Sequence, residues 1–295
     1  MKRRIRRTWH RKTAALAAAF MAMSFSGITY AMPQDSTIRS GKGDITRPDD
    51  KTMRIDQQTD RLAIDWKGFD IQNGEKVQFK QPDARAIALN RVTGDARSVI
   101  DGQLTANGRV YVINPNGVLF GRNASVDVGS LVASTAKVSD ETMKDFANGK
   151  DPLTLTLGDN SRAQVINAGT IKAQGGLVAL HAAAVENTGT IGSVGGKVAL
   201  AAAKNITLSE DTAGKLNFTV DGEIAKASTL NSGVLSADGG YLVMTAKQAG
   251  DVMSTVVNNT GTIEAKTLRQ NEKGEILLDG GDNGQVEVSG TLDAS

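Results

Sequence analysis

From Val165 onward the chain repeats itself at intervals near 20 residues, and this period restricts the possible folds more than any other feature. Ile166-Asn-Ala-Gly-Thr-Ile171 followed by Gly175-Gly-Leu-Val-Ala-Leu180 returns as Glu186-Asn-Thr-Gly-Thr-Ile191 followed by Gly195-Gly-Lys-Val-Ala-Leu200, an offset of 20 at Asn167/Asn187, Gly169/Gly189 and Ile171/Ile191. A later copy runs Asn231-Ser-Gly-Val-Leu235 and Gly239-Gly-Tyr-Leu-Val-Met244, and further copies begin at Asn259-Thr-Gly-Thr-Ile263 and Ser289-Gly-Thr-Leu292. Such periods signal a solenoid. Each copy holds short β-type runs separated by Asn-x-Gly or Gly-Gly corners, which accept positive φ. Three strands at roughly 3.3 Å per residue, with their corners, consume about 20 residues, one circuit of a right-handed parallel β-helix. A leucine-rich horseshoe has a similar period but needs Leu-x-x-Leu-x-Leu and a helical segment, neither of which is present. The expected fold is therefore all-β: a β-helix with an N-terminal β cap.

One coil cannot stand alone. Its inward side chains, read as Ile171, Leu177, Ala179 and Val185, contribute about 1.5–3 kcal/mol for each large one. Ordering costs about 1–2 kcal/mol for every residue's backbone. Neighbouring coils shift that balance by closing both sides of each apolar layer, so stability is expected to add along the stack. Asn167, Asn187 and their later counterparts are expected to form a side-chain ladder at one corner. Residues 37–85 repeat less and concentrate the aromatics Trp66, Phe69 and Phe79, as a cap with the first coils would. Ser139 to Asp151 breaks the β pattern, and Glu141-Thr-Met-Lys-Asp-Phe146 reads as a short helix ending at Asn148-Gly149. The chain divides into 1–31, 32–138 (cap and first coils) and 139–295 (continuing coils). Its last residues begin another coil, so the chain is expected to be a fragment or a truncated version of a longer protein.

Residues 1–31 read as a secretory signal: Lys2, Arg3, Arg4, Arg6, Arg7, Arg11 and Lys12, the apolar run Ala14 to Ile28, then Thr29-Tyr-Ala31 as a small-x-small cleavage site. This segment holds 7 of the 34 Lys and Arg and none of the 32 Asp and Glu, leaving 27 against 32 and a net charge of −5 on the rest. No basic stripe remains to neutralise phosphates, which argues against nucleic acid as a partner. The chain has no cysteine, which rules out disulfides and thiol chemistry and suits passage across an oxidising compartment as an unfolded thread.

Asn114-Pro-Asn-Gly117 joins two β-rich runs and has the residues of a type I turn. Together with Ala88-Leu-Asn-Arg-Val-Thr-Gly94, Ile100-Asp-Gly-Gln-Leu104 and Phe120-Gly121, it resembles the secretion domain of two-partner-secretion exoproteins, the filamentous-haemagglutinin-like proteins of Gram-negative bacteria. The Asn-Pro-Asn-Leu block of one subgroup is missing, and the Asn-Arg-Val form stands here. By that resemblance Asn90, Arg91, Val92, Asn114, Pro115, Asn116 and Gly117 are implicated in secretion and in recognition by a transporter. A purely turn-forming role is the competing account. Tyr111 and Phe120, which flank the corner, read as core.

Catalytic, metal and cofactor sites are not expected. His181 is the one histidine beyond the signal and is expected at a surface or corner position. Asp279-Gly-Gly-Asp-Asn-Gly284 lacks the repeated pattern of glycine/aspartate calcium loops and reads as a turn. The resemblance implies a non-enzymatic, Sec-exported, secreted or surface protein whose partner is an outer-membrane barrel with POTRA domains, associated with adhesion and host-surface ligands. The alternative is a β-helix enzyme acting on polysaccharides.

Overall fold

Each circuit of the chain places one short strand on each of three faces. The computed structural model describes residues 32–159, 161–249, 255–267, 274–282 and 284–295. The signal expected over residues 1–31 lies outside them. Gln164–Asn167, Thr170–Ala173 and Leu177–His181 form one coil, and Ala184–Asn187, Thr190–Gly192 and Lys197–Ala202 stack on it in parallel. Val165 lies over Val185, Ile171 over Ile191 and Leu180 over Leu200, so like side chains meet like. The faces contain sheets of nine, seven and ten strands among the described residues, and they build the expected parallel β-helix.

The expected ladder is present. Asn167 Nδ2 donates to Asn187 Oδ1 at 2.8 Å, Asn187 to Asn231 at 2.8 Å and Asn231 to Asn259 at 2.7 Å. All four side chains are buried, so these mutual bonds satisfy groups that would otherwise be costly. The glycine of each Asn-x-Gly corner serves a different purpose from the one expected. Gly189 has no positive φ, but a Cβ there would lie 2.1 Å from the Gly169 carbonyl of the coil beneath. Close stacking excludes the side chain. In the Gly-Gly corners the roles separate: Gly195 has φ +68°, while Gly196 lacks room beside the Gly176 carbonyl.

The N-terminal end is closed by reversed strands. Thr37–Ser40 runs antiparallel to Arg61–Trp66, and Gly43–Asp49 antiparallel to Thr52–Gln57. Arg47, Pro48 and Asp49 sit on that last edge, residue types that discourage further pairing. Trp66 and Phe69 pack edge to face at 5.6 Å inside the first coils, with Phe79 also buried.

Two excursions leave the stack from the corner after the nine-strand face. The first carries the helix α1 (Asp140–Ala147), capped by Ser139, which accepts the Thr142 N–H at 3.1 Å, with Asp140 and Glu141 in its first turn. Asn148 caps its end and Gly149 leaves with φ +76°, close to the expected limits. The same excursion supplies Leu153–Thr156, which pairs with the hairpin Asn205–Glu210/Leu216–Asp221 of the second. This hairpin was not anticipated. It lies outside the nine-strand face, where Lys197 Nζ donates to the Leu216 carbonyl at 3.1 Å, and α1 lies over the same face, where Arg61 Nη1 donates to the Phe146 carbonyl at 3.3 Å. That face is consequently buried on both sides, and every residue of Ile87–Val92, Arg109–Ile113 and Leu177–His181 is buried.

The cover corrects one expectation. Leu177 pairs in register with Lys197, whose amine reaches outward to the hairpin, so Leu177 and Ala179 face the excursions and not the interior of the stack. The inward residues of that strand are Val178 and Leu180. Two apolar faces on one strand make its inward phase ambiguous from sequence.

Candidate functional site

The two sequence blocks singled out for secretion occupy successive coils, and register brings them to one corner. Ile87–Val92 and Arg109–Ile113 are parallel neighbours, so the turns that follow them stack. Asn116 Nδ2 donates to the Gly94 carbonyl at 2.9 Å, tying one turn to the other. Together Arg91–Asp95, Pro115, Asn116 and Ala136–Val138 line one open groove.

Asn114 forms the turn itself. Its Oδ1 accepts the Asn116 N–H at 2.9 Å, its Nδ2 donates to the Ala96 carbonyl and Ser98 Oγ at 3.0 Å each, and its carbonyl accepts the Gly117 N–H at 3.0 Å. Pro115 presets the second corner. Gly117, at φ +117°, closes the turn and returns its carbonyl to the Ser98 N–H at 3.0 Å. Asn114 and Gly117 are buried, Pro115 is half-buried and Asn116 is exposed.

The Asn-Arg-Val block faces two ways. Asn90 points into the stack, where Oδ1 accepts the Trp66 indole N–H at 2.9 Å and Nδ2 donates to the Ala88 and Tyr111 carbonyls at 3.1 Å each. Arg91 points outward beneath the first excursion. It grips Asp65 with two bonds of 2.7 and 2.8 Å and donates to the Val138 carbonyl at 2.9 Å and to Asp140 at 2.6 Å. Burial alone would push the Asp65 carboxyl up, but the hydrogen bonds from Arg91 and Arg39 outweigh it and hold the group below the usual carboxylate range. Val92 is buried. The block therefore ties the cap, the third strand of the wide face and the start of α1 into one unit.

Sequence reasoning missed Asp65 and Trp66, the partners of Arg91 and Asn90. Both lie roughly one coil upstream, so the repeat period extended to the N-terminal region is the signal that could have found them. Tyr111 and Phe120 are buried as expected, but Tyr111 lies under the excursions with Phe146 and Leu153, on the same outer side as Arg91.

His181 is fully buried, not at the surface. Its Nε2–H donates to the Ala203 carbonyl at 3.1 Å, so Nδ1 is an acceptor and the Ser134 hydroxyl donates to it at 2.9 Å. Ser134 Oγ in turn accepts the Ala136 N–H at 3.1 Å. Burial pushes the imidazole down from 6.5 to about 4, only partly opposed by the Ala203 bond. A neutral ring with both nitrogens engaged pins the excursion and does not face solvent as a general base would. Among the described residues no group of three or more His, Cys, Asp or Glu is arranged to hold a metal ion.

The chain is similar to known proteins over most of its length. A family model described as the TPS secretion domain matches residues 30–294. A heme/hemopexin-binding protein of Haemophilus influenzae (strain ATCC 51907 / DSM 11121 / KW20 / Rd) is 35% identical over 278 residues, 90% of this chain and 30% of that protein. A second Haemophilus influenzae protein of the same name is 43% identical over 114 residues, 37% of this chain and 12% of the relative. This chain thus spans less than a third of the curated relatives it matches. Among solved structures, the HMW1 secretion domain from Haemophilus influenzae superposes with a TM-score of 0.76 at 28% identity, covering 88% of this chain and 66% of that one.

Proposed function

The chain belongs to the TPS secretion domain family, and from that membership we propose that it addresses an exoprotein to a cognate outer-membrane transporter with POTRA domains and then nucleates the folding of the β-helix outside the cell. Sec-dependent export to the periplasm precedes this step and uses the signal at residues 1–31. The exported product acts at the cell surface in adhesion to host ligands. Within the chain no catalytic role is assigned.

The observation that carries the reading is the corner where the Asn90-Arg-Val92 and Asn114-Pro-Asn-Gly117 blocks meet. In the folded state Ile87–Val92 is flanked on both sides by paired strands, so it has no free edge to offer. Any strand augmentation on a POTRA sheet through this block must precede folding, while the chain is still a thread. The same residues then close the first coils after transit, when Asn90, Arg91 and Asn114 find their buried partners. Recognition and nucleation are sequential uses of one segment, and each added coil biases transport outward as it stacks.

The test is secretion with a cognate barrel present. Asn116→Ala, which leaves the buried network intact, is expected to lower export while purified protein melts within a few degrees of wild type. Undiminished export of the Asn116→Ala and Asn114→Ala proteins would remove the recognition role from this corner.

A further inference from the structure

The nitrogen of Met32 is a buried group at the closed end of the stack. Met32 is 2% exposed, its side chain belongs to the core, and its N donates to Glu75 Oε2 at 3.1 Å. Glu75 is itself 8% exposed, and the same oxygen accepts the Gln72 N–H at 2.8 Å. Asp70 stands nearby, accepting the Val99 N–H at 2.7 Å. Burial pushes the Asp70 carboxyl up against that hydrogen bond, and the charge of Glu75 adds to the shift. Two carboxylates thus share one poorly solvated end of the molecule, and among the described residues neither makes an ion pair with Lys or Arg. Buried carboxylates normally have a cation or several donors.

The sequence supplies the missing charge. Thr29-Tyr-Ala31 ends the signal, so cleavage there makes Met32 the first residue and turns its nitrogen from a neutral amide into an ammonium. We propose that this new α-ammonium is a structural group, inserted beside Glu75, and that removal of the signal completes the N-terminal cap. An ammonium has three donors where the amide has one, and its bonds to carboxylate are charge-assisted. The rest of the segment is already shaped for insertion. Met32 adopts φ +68°, a left-handed turn rare for a side-chain-bearing residue, and directs its thioether inward. Gln34 then fixes the chain by pairing with Gly68 and Lys67 at 2.9 Å each, while Arg47 holds the Pro33 carbonyl at 3.2 Å. In the precursor the cap would lack its cation, so the first coils would be least stable while the chain must remain a thread.

The inference rests on the export reading, and its test separates the two. N-terminal sequencing of the exported protein is expected to begin at Met32; a different first residue would overturn the inference by moving the cleavage site. Given that start, the chain beginning with a free Met32 amine is compared with the same chain carrying one added glycine, in wild type and in Glu75→Gln. The free amine is expected to raise the wild-type melting midpoint by about 2–4 °C over the extended form, and the difference is expected to vanish in Glu75→Gln. Equal midpoints for the two wild-type forms, which need no change in the core, would overturn it, as would a full difference surviving in Glu75→Gln.

Discussion

Asn116 and Gly94 are 22 residues apart in sequence and joined by a 2.9 Å hydrogen bond in space, because one coil separates them. This bond makes two sequence blocks into one corner. It also separates the exposed member, Asn116, from the buried scaffold beneath it.

The separation predicts unequal effects on stability. Asn114→Ala removes two donated bonds and one accepted bond from a fully buried side chain, and is expected to cost about 2–3 kcal/mol. Asn116→Ala loses one bond at an exposed site, about 0.5–1.5 kcal/mol. Urea denaturation of the purified variants measures both, and a larger loss in Asn116→Ala would contradict the geometry.

Arg91 is expected to tolerate no substitute. Its fork engages Asp65 through two nitrogens and also reaches Asp140 and the Val138 carbonyl, which a lysine cannot reproduce. Arg91→Ala leaves Asp65 with Arg39 as its remaining cation and removes four hydrogen bonds, and is expected to lose about 2–3 kcal/mol. Arg91→Lys should recover only part of it. Proteolysis within residues 139–151 reads the same event locally, because α1 loses its tether.

Acid is expected to destabilise the fold through His181. Its folded value near 4 lies below the ordinary 6.5, so the unfolded chain binds more protons between those limits. Stability is fully present above pH 6.5 and falls as the pH drops toward 4, by on the order of 3 kcal/mol. His181→Gln should flatten the slope in this window. Denaturation midpoints measured at half-unit steps from pH 7.5 to 4 test it, and an unchanged slope in the variant would assign the acid sensitivity elsewhere.

Breaking the amide ladder in its middle should cost more than breaking its last member. Asn187→Ala takes from Asn167 its 2.8 Å acceptor, leaving it the longer contacts to the Gly169 and Thr190 carbonyls, and takes from Asn231 Oδ1 its donor, an expected loss of about 2–3 kcal/mol. Asn259→Ala takes only one acceptor from Asn231, which keeps the Gly233 and Thr262 carbonyls, and should cost about half as much. Calorimetry of the two variants gives the comparison.

The period was enough to read the β-helix and the ladder of Asn167 and Asn187, and the end of α1 at Asn148-Gly149 was legible from local turn chemistry. The hairpin Asn205–Glu210/Leu216–Asp221 was not legible, because antiparallel strands inserted between coils carry no period of their own. Its absence from the reading also explains the errors at Leu177, Ala179 and His181. An apolar run looks the same whether its outer side meets solvent at a corner or lies beneath another sheet. In the candidate site, the turn at Asn114 followed from its own four residues, whereas Arg91 needed Asp65 and Asp140, which only the coiling brings together.

The asparagine ladder has a direction: in each of its three rungs the N-terminal amide donates and the C-terminal one accepts. Its members are 20, 44 and 28 residues apart, yet their contacts stay at 2.7–2.8 Å. What matters is phase, and the amount of chain between rungs is free. Whole coils can therefore be duplicated, deleted or decorated with loops during evolution without disturbing the relay, while a partial deletion leaves an amide facing the wrong neighbour. Such a molecule changes length in quantised steps, and its surface can diversify at the excursions while its axis stays the same.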